Sequence, residues 1–364
     1  MISITLFPGR YVQGRDALSR LGEECARLGR KVFLIASPHP RQNLLPAILP
    51  GLEQRCQVTL ESFGRQCSDP EIQRLFQLCQ QAGADLVVGL GGGKTLDAAK
   101  AVAHLAQKPA LMAPTIASTD APCSSVCVVY TPEGTFLRAD ILPRNPDTVL
   151  VDTQVMAQAP ARFLAAGMGD ALATWFEAES CREKRAPNIA GALGSMTAHA
   201  LARLCWDTLR QYGPVALASC AARSVTPALE RVVEANTLLS GLGFESAGLA
   251  AAHALHNGFT ALSRTKDYHH GEKVAFGVLV SLFLTDKAPG LINEVYGFCE
   301  TVGLPTTLAD IGLKAVKDEE LLRVAEKACA PEESMHHEAC ETAPPVLVDM
   351  IKAADAWGRG RKQA

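Results

Sequence analysis

The sequence lacks the features by which several large classes of protein are recognised. Its 364 residues contain no run of about 18 apolar residues, so we expect no transmembrane helix. The first ten residues hold no basic segment followed by an apolar core, and we therefore predict no signal peptide. The formal net charge of −3 provides no basic surface for a nucleic acid.

Cysteine is present, but its spacing marks neither a disulfide framework nor a zinc ribbon. The 12 cysteines are scattered without a C-x-x-C pair, and the closest two are Cys123 and Cys127. Disulfide frameworks are typical of much shorter secreted chains, so we expect reduced and mostly buried thiols. Together with the missing signal peptide, this predicts a cytoplasmic protein.

The first part of the chain alternates helical patterns with short apolar runs. Apolar residues make up 48% of the sequence and charged residues 20%, which is enough for a large core and indicates two domains. The alternation predicts an α/β domain with a Rossmann-like parallel sheet and helices on both faces. The predicted strands are 31–36, 57–60, 84–88, 110–113 and 148–152, with a hairpin at 126–130 and 135–137.

The second part of the chain has helical periodicity and almost no strand pattern. We therefore predict an all-α domain and place the boundary at Ala159-Pro160, which gives domains 1–160 and 161–364. Because no low-complexity linker or internal repeat is visible, we expect the two domains to pack tightly around an active-site cleft. The predicted helices include 166–182, 189–212, 226–242 and 274–285.

The most informative stretch is 89–97, Gly-Leu-Gly-Gly-Gly-Lys-Thr-Leu-Asp, between a predicted strand and a predicted helix. Consecutive glycines let a ligand approach the backbone, and the amides that open a helix favour phosphate groups. Val88 breaks the Walker pattern and Lys94 breaks G-x-G-x-x-G, yet we predict a pyrophosphate site rather than a plain turn. The predicted cofactor contacts here are Gly91, Gly92, Gly93 and Lys94.

A second polar stretch, 115–124, follows the predicted strand 110–113 and is dense in hydroxyl groups. Such loops are often solvated turns. This one, however, lies at the carboxyl edge of the predicted sheet, where open α/β sheets bind their ligands. We expect Thr115 and Ser118 to hydrogen-bond a cofactor and Asp120 to bind substrate hydroxyls.

Histidines are concentrated in one part of the helical domain. Four of the nine fall between residues 253 and 270, and His253 and His256 share one face of a predicted helix. Asp170 lies near the start of an earlier helical pattern, where capping is the ordinary role of an aspartate. One carboxylate and two imidazoles would leave a coordination position open, as catalytic metal sites do. The pattern is not the H-E-x-x-H of zinc proteases.

Taken together, these motifs resemble the iron-containing (group III) alcohol dehydrogenases, and among them the glycerol dehydrogenase branch. The resemblance implies a bound Zn²⁺ or Fe²⁺, NAD as the cofactor and a homo-oligomer, often an octamer. The implied reaction is the reversible oxidation of glycerol, or of a similar small vicinal diol, to the hydroxyketone. The matching segments are 91–97, 113–124, 169–178, 253–258 and 270–277, within a region from Pro8 to about Ala330.

The resemblance also implies roles for individual residues. Asp170, His253 and His270 would hold the metal. Asp120 would contact the polyol, and His256 would lie near the substrate. The implied dinucleotide contacts are Gly93, Lys94, Asp97, Thr115, Ser118, Ser124, Val126 and Tyr130.

Two positions depart from the family pattern. An acidic residue usually follows the first predicted strand and binds the adenosine ribose, whereas Ser37 stands here, with His39 and Arg41 nearby. Because serine does not repel a 2′-phosphate, NADP is an alternative to NAD. The tail segment 335–340 also departs from the family, and we expect a solvated loop there rather than a second metal site.

Three alternatives stay open from the sequence: an NADP-preferring reductase of the same family, a dehydroquinate-synthase-like lyase, and a non-catalytic protein that kept the fold. A phosphorylated substrate, as in that lyase or in glycerol-1-phosphate dehydrogenase, requires clustered arginine and lysine. No dense basic cluster flanks the histidine segments. All the implied metal ligands are present, which argues against lost catalysis.

Overall fold

The computed structural model describes residues 2–363, and these fold into two compact units. The first, here called the sheet unit, comprises Leu6–Ala161 and Ser219–Gly241. The second, the helical unit, comprises residues 2–5, Arg162–Ala218 and 242–363. The predicted fold class, a Rossmann-like parallel sheet and a helical domain, is confirmed.

The strands belong to the sheet unit. In chain order they are β1 (Tyr11–Gly14), β2 (Lys31–Ala36), β3 (Gln57–Ser62), β4 (Leu86–Gly91), β5 (Ala110–Pro114), β6 (Val126–Tyr130), β7 (Phe136–Ile141) and β8 (Thr148–Asp152). Six of them form a parallel sheet in the order β1-β8-β5-β4-β2-β3, and β6 and β7 form a separate antiparallel hairpin.

The centre of the sheet contains a reversal of strand order. β2 and β4 are neighbours, with Ala36 opposite Leu90. From β2 the chain continues outward to β3, whereas from β4 it continues in the other direction to β5. The connections therefore diverge, and this leaves a crevice at the carboxyl ends of the two strands, where open α/β sheets bind ligands.

Within residues 2–363, fifteen α-helices make up most of what the strands leave. In order they are α1 (Leu21–Leu28), α2 (Pro38–Asn43), α3 (Leu45–Glu53), α4 (Asp69–Gln81), α5 (Gly93–Ala106), α6 (Thr153–Gln158), α7 (Ala161–Lys184), α8 (Met196–Ala221), α9 (Pro227–Glu234), α10 (Ser240–Ala247), α11 (Ala251–Phe259), α12 (His270–Leu284), α13 (Pro289–Val302), α14 (Asp318–Ala328) and α15 (Pro344–Arg361). Among the helices of residues 2–363, none combines the length and apolar character needed to cross a lipid bilayer.

The inner strands β2, β4, β5 and β8 are buried on both faces, because each is a largely apolar run. One face packs on α1 and α3 through residues such as Leu34, Leu21 and Leu45. The other face packs on α5, and at Gly89 the contact is so close that an added Cβ would lie 2.8 Å from the Ala99 Cβ. This close approach packs α5 directly against the carboxyl-terminal half of β4.

The helical unit is built around α11 and α12, which pack against each other and are flanked by α14 and α15. Phe259 and Phe276 are fully buried between them, with ring centroids 5.8 Å apart. Trp206 packs between Phe176 and Phe298 in a second aromatic group. These apolar contacts fix the helices that carry the predicted metal ligands.

Two segments differ from the sequence expectations. The helix expected from residue 189 begins only at Met196, because the Asn188 side chain closes a turn by accepting hydrogen bonds from the amides of Ala190 and Ala192. The short strand β1 and the helix α2 were not predicted, whereas β2 and β8 have the predicted bounds.

Candidate functional site

Three helices of the helical unit bring the predicted metal ligands together. Asp170 lies within α7, His253 in the first turn of α11, and His270 is the first residue of α12. Asp170 Oδ1 lies 3.4 Å from His253 Nε2 and 3.0 Å from His270 Nε2. One ligand atom from each residue lies within 4.8 Å of the other two. Over residues 2–363, no other group of three His, Cys, Asp or Glu side chains has this spacing.

Two glycines allow α7 and α12 to approach each other at this cluster. A Cβ added to Gly271 would collide with the carbonyl oxygen of Ala166, and one added to Gly169 would collide with the carbonyl oxygen of Gly271. No other residue type fits at these positions without moving a helix. The sequence therefore places glycine beside each of the two ligands Asp170 and His270.

An ion pair reinforces the same helix contact. The Arg162 guanidinium donates to both carboxylate oxygens of Glu272, over 2.6 and 2.9 Å. Glu272 also accepts a 2.8 Å hydrogen bond from the amide of His269, which caps α12 beside His270. Burial alone would raise the pKa of Glu272, but Arg162 and the His269 amide outweigh it and lower that pKa. The carboxylate therefore stays charged and fixes the start of α12.

Glu177 holds the His253 imidazole in place and was not identified from the sequence. Its Oε2 lies 2.7 Å from His253 Nδ1, and its Oε1 accepts hydrogen bonds of 2.9 Å from the amides of Ala250 and His253. A proton on His253 Nδ1 directs the lone pair of Nε2 towards Asp170, which is the tautomer that a metal ligand needs. The sequence feature that indicates Glu177 is its spacing, because it lies about two helical turns along α7 from Asp170.

Asp170 and His253 each shift the pKa of the other. Burial alone would raise the pKa of Asp170, but His270 and His253 lower it below its ordinary value. Burial alone would lower the pKa of His253, but Glu177 and Asp170 raise it well above its ordinary value. A buried carboxylate, two imidazoles and an outer carboxylate form a donor set that suits a divalent cation of the Zn²⁺ or Fe²⁺ type. The residues present therefore fit a metal.

His256 lies against the cluster rather than within it. Its Nε2 is 3.1 Å from His270 Nδ1, and its Nδ1 is 3.0 Å from Asn257 Oδ1. Burial, with His270 and Lys273 nearby, lowers the pKa of His256 well below its ordinary value. Both ring nitrogens thus have partners within the protein, and the predicted role near the substrate stays a prediction.

The tail segment is packed rather than solvated. Met335 and Glu338 are buried, so the expectation of a solvated loop is wrong for them. Glu338 Oε1 accepts a 3.0 Å hydrogen bond from the amide of Ala251, at the start of α11. His337 Nδ1 lies 2.7 Å from the Leu249 carbonyl oxygen. This segment therefore supports the helix that carries His253.

In the sheet unit, the glycine stretch lies at the carboxyl edge of the sheet. A Cβ on Gly91 would lie 2.7 Å from Ser37 Oγ and 2.8 Å from Thr95 Oγ1, so glycine is required there. The Ser37 amide donates to the Leu90 carbonyl oxygen over 3.1 Å. The Thr115 amide donates to the Gly91 carbonyl, over 3.0 Å. The ends of β2, β4 and β5 therefore meet at this loop.

A cavity of about 290 Å³ opens at this loop. The Thr95 amide donates to the Gly92 carbonyl oxygen over 2.9 Å, whereas the amides of Gly93 and Lys94 precede the first bond of the helix and provide donors for phosphate oxygens. Lys94 adds a positive charge, with Nζ 2.6 Å from Gln66 Oε1 and 4.3 Å from the ring centroid of Tyr130. Burial lowers the pKa of Lys94. The lining residues are Ser37, Pro38, Phe63, Arg65, Gly92, Gly93, Lys94 and Thr95.

Asp97 lies in the interior of the sheet unit, 5% exposed. Its Oδ1 lies 2.9 Å from Lys100 Nζ, and its Oδ2 accepts a 3.2 Å hydrogen bond from the Val128 amide. Lys100 was not identified from the sequence, although an acid–base pair three residues apart on an apolar helix is a usable signal. Its ammonium also donates to the carbonyl oxygens of Ala121, Ser124 and Val126 and so shapes the polar stretch.

The other predicted residues of the polar stretch also lie in the sheet unit. Asp120 is buried, and its Oδ2 accepts a 2.7 Å hydrogen bond from Ser240 Oγ. Ser118 is half-buried and Ser124 is buried. The Tyr130 amide donates to the Cys67 carbonyl oxygen over 2.8 Å, which fixes β6 against the segment before α4.

Known proteins resemble this chain over its whole length. The sequence profile described as iron-containing alcohol dehydrogenase matches residues 8–153. A glycerol dehydrogenase of Thermotoga maritima is 59% identical over 362 residues, which cover 100% of this chain and 99% of the relative. A glycerol dehydrogenase of Pseudomonas putida is 50% identical, with 97% of each chain covered.

The solved structures agree with the sequence relatives. The crystal structure of glycerol dehydrogenase from Schizosaccharomyces pombe superposes with a TM-score of 0.95 at 39% identity, over 100% of this chain and 92% of that chain. The resemblance inferred from the motifs is confirmed, and the chain belongs to the iron-containing alcohol dehydrogenase family.

Proposed function

We propose that this protein is a metal-dependent oxidoreductase that reversibly oxidises glycerol, or a similar small vicinal diol, to dihydroxyacetone or the matching hydroxyketone with NAD. The observation that carries the proposal is the cluster of Asp170, His253 and His270 in a chain related over its full length to proteins named glycerol dehydrogenase.

The proposed metal is Zn²⁺, with Fe²⁺ as the alternative, and Asp170, His253 and His270 would hold it. When bound, the cation supplies Lewis acidity towards the reacting hydroxyl, and bound NAD accepts the hydride. Three protein ligands leave a coordination position for substrate. Glu177 keeps His253 Nε2 directed at Asp170, and Arg162 with Glu272 fixes the start of α12.

The proposed cofactor site is the loop at the carboxyl edge of the sheet. The amides that open α5 and the Lys94 ammonium would neutralise the pyrophosphate. NAD is our assignment and NADP the alternative, because Ser37 bears no charge and Arg65 lines the same cavity. The proposed contacts are Ser37, Gly91, Gly92, Gly93, Lys94, Asp97, Thr115, Ser118, Ser124, Val126 and Tyr130.

The proposed substrate contacts are Asp120 and His256. The Asp120 carboxylate would accept a hydrogen bond from the substrate hydroxyl next to the reacting one. Ser240 supports this role because its donation to Oδ2 fixes the orientation of the carboxylate. We assign dinucleotide binding to residues 1–160, which also contribute Asp120 to the substrate contacts, and metal and substrate binding to residues 161–364.

Two further properties follow from the family and the composition as proposals. We assign the protein to the cytoplasm, which suits its 12 free cysteines. We also assign a homo-oligomer, for which the mass of the protein in solution is the direct test.

The test of the proposed function is a matrix of alcohols against NAD and NADP, with metal-stripped protein and with added zinc. We expect glycerol and NAD with zinc to give the highest rate of NADH formation. A dehydroquinate-synthase-like enzyme would instead recycle its NAD and accumulate no NADH. Absence of NADH from every diol in the presence of zinc or iron would refute the proposal.

A further inference from the structure

We propose that Glu333 is a positioning residue for the metal ligand His270 and acts through a relay of hydrogen bonds formed by Asn257 and His256. The inference rests on the proposed metal site, because it concerns how one ligand of that site is held. It gives a task to a residue that lies just before the tail segment 335–340.

The relay is continuous in the structure. His270 Nδ1 lies 3.1 Å from His256 Nε2, and His256 Nδ1 lies 3.0 Å from Asn257 Oδ1. Asn257 Nδ2 donates to both oxygens of Glu333, over 3.2 and 2.9 Å. All four residues belong to the helical unit, and each is only partly exposed.

The metal at His270 and the carboxylate of Glu333 together determine which atom of each hydrogen bond in the relay is the donor. If His270 binds a cation through Nε2, its proton must be on Nδ1, which then donates to His256 Nε2. His256 consequently carries its own proton on Nδ1 and donates it to Asn257 Oδ1. The amide group of Asn257 then presents its two donors to the carboxylate of Glu333, which only accepts. Every donor in the relay thus faces an acceptor.

The anchor of the relay is itself held in place. Ser334, next to Glu333, donates a 2.7 Å hydrogen bond to the Ala250 carbonyl oxygen. Glu338 accepts a 3.0 Å hydrogen bond from the Ala251 amide. Residues 333–338 therefore pack across the start of α11, and Glu333 lies within reach of Asn257. Each imidazole ligand is thus connected to a carboxylate. His253 contacts Glu177 directly, whereas His270 is connected to Glu333 through His256 and Asn257.

Loss of the Glu333 carboxylate would remove the group that sets the Asn257 orientation. A rotated Asn257 amide would present a donor to His256 Nδ1 and favour the other His256 tautomer. That tautomer places an N–H against the N–H of His270 Nδ1, so the metal-binding form of His270 would lose its partner. Zinc affinity should fall, because outer partners of ligating histidines typically contribute roughly 10- to 100-fold.

The test compares Glu333→Ala with Glu333→Gln and with the matched control Glu332→Ala, since Glu332 is the exposed neighbour. Zinc affinity is measured by competition with a chromophoric chelator, and the ligand geometry by the visible absorption spectrum of the cobalt(II) form. We expect Glu333→Ala to bind zinc about 10-fold more weakly and to shift the cobalt spectrum. Glu333→Gln, which keeps an acceptor for Asn257, should recover both properties, and Glu332→Ala should match the wild type.

Wild-type zinc affinity and an unchanged cobalt spectrum in Glu333→Ala would overturn the relay. If that variant does not fold, Asn257→Ala breaks the same relay and must show the same two effects. Asp170→Ala distinguishes failure of the relay from failure of the proposed metal site. If it loses zinc while Glu333→Ala does not change, only the relay fails, whereas a wild-type protein that binds no cation overturns the proposed function as well.

Discussion

The glycine loop of the sheet unit offers a ligand backbone amides, whereas the cluster of Asp170, His253 and His270 offers side chains that other side chains hold in place. The loop is encoded in one contiguous stretch, and Gly91 leaves no room for a Cβ. The cluster draws on three helices and depends on carboxylates such as Glu177 and Glu272. Apart from substitutions of the glycines themselves, single changes should therefore damage the cluster more than the loop, since only proline removes a backbone amide donor.

The largest effect is expected for Asp170→Ala. This change removes the carboxylate common to both close contacts of the cluster, at 3.4 and 3.0 Å. Zinc affinity should fall by more than about 100-fold, beyond the usual effect of an outer partner, and glycerol oxidation should be lost with it. Bound zinc measured after dialysis checks this. Asp349→Ala, at an exposed position of α15, is the control and should retain both properties.

Glu177→Gln should rank second. Glutamine keeps the side-chain length but removes the charge that holds the proton on His253 Nδ1. We expect zinc affinity to fall about 10-fold or more, with little change in NAD affinity. Chelator competition and NADH fluorescence measure the two quantities. Equal losses in both would contradict the separation between cluster and loop.

Lys94→Met should have a smaller effect, on the loop alone. One charge-assisted hydrogen bond to a phosphate contributes about 1.5 kcal/mol at the low end, or about 10-fold in NAD affinity. Burial lowers the pKa of Lys94, and a bound pyrophosphate favours its charged form. NAD binding should therefore take up a proton and weaken as the pH rises through this lowered pKa.

The matched variant for this prediction is Lys94→Arg, because an arginine stays charged over the whole range. Its NAD affinity should not vary with pH over the window in which the wild-type affinity declines. Lys31→Met, at the exposed start of β2, should change nothing. Identical pH profiles for Lys94→Arg and the wild type would show that another group titrates.

The smallest effect is expected for Ser37→Asp. An aspartate at the end of β2 accepts hydrogen bonds from the ribose and repels a 2′-phosphate. NAD affinity should rise by a factor of about 2 to 10, the range of one ordinary hydrogen bond, while NADP affinity falls. The ratio of kcat/KM values for NAD and NADP measures the change. An unaltered ratio would place the adenosine ribose away from Ser37.

The sequence predicted what is encoded locally. β2 and β8 are short apolar runs bounded by polar or turn residues, and their bounds are as predicted. β1 was missed because Tyr11–Gly14 is only half-buried and is defined by its pairing with β8. The start of α8 was placed too early because periodicity does not show that Asn188 closes a turn.

The same limit applies to the candidate site. The glycine loop was predicted from its residue types and spacing, and the three proposed metal ligands were predicted from the family resemblance of the segments that carry them. Glu177, Asn257 and Glu333 were not, because each acts through a contact with a residue distant in the sequence. A glutamate on a helix surface and a glutamate behind a metal ligand look alike until the helices are packed.

The most direct measurement is a zinc titration of metal-stripped protein that follows NADH formation from glycerol. We expect no turnover at the start and a rise that saturates at one zinc ion per chain, with no rise for Asp170→Ala. Full turnover by the stripped protein, or a titration that Asp170→Ala reproduces, would contradict it.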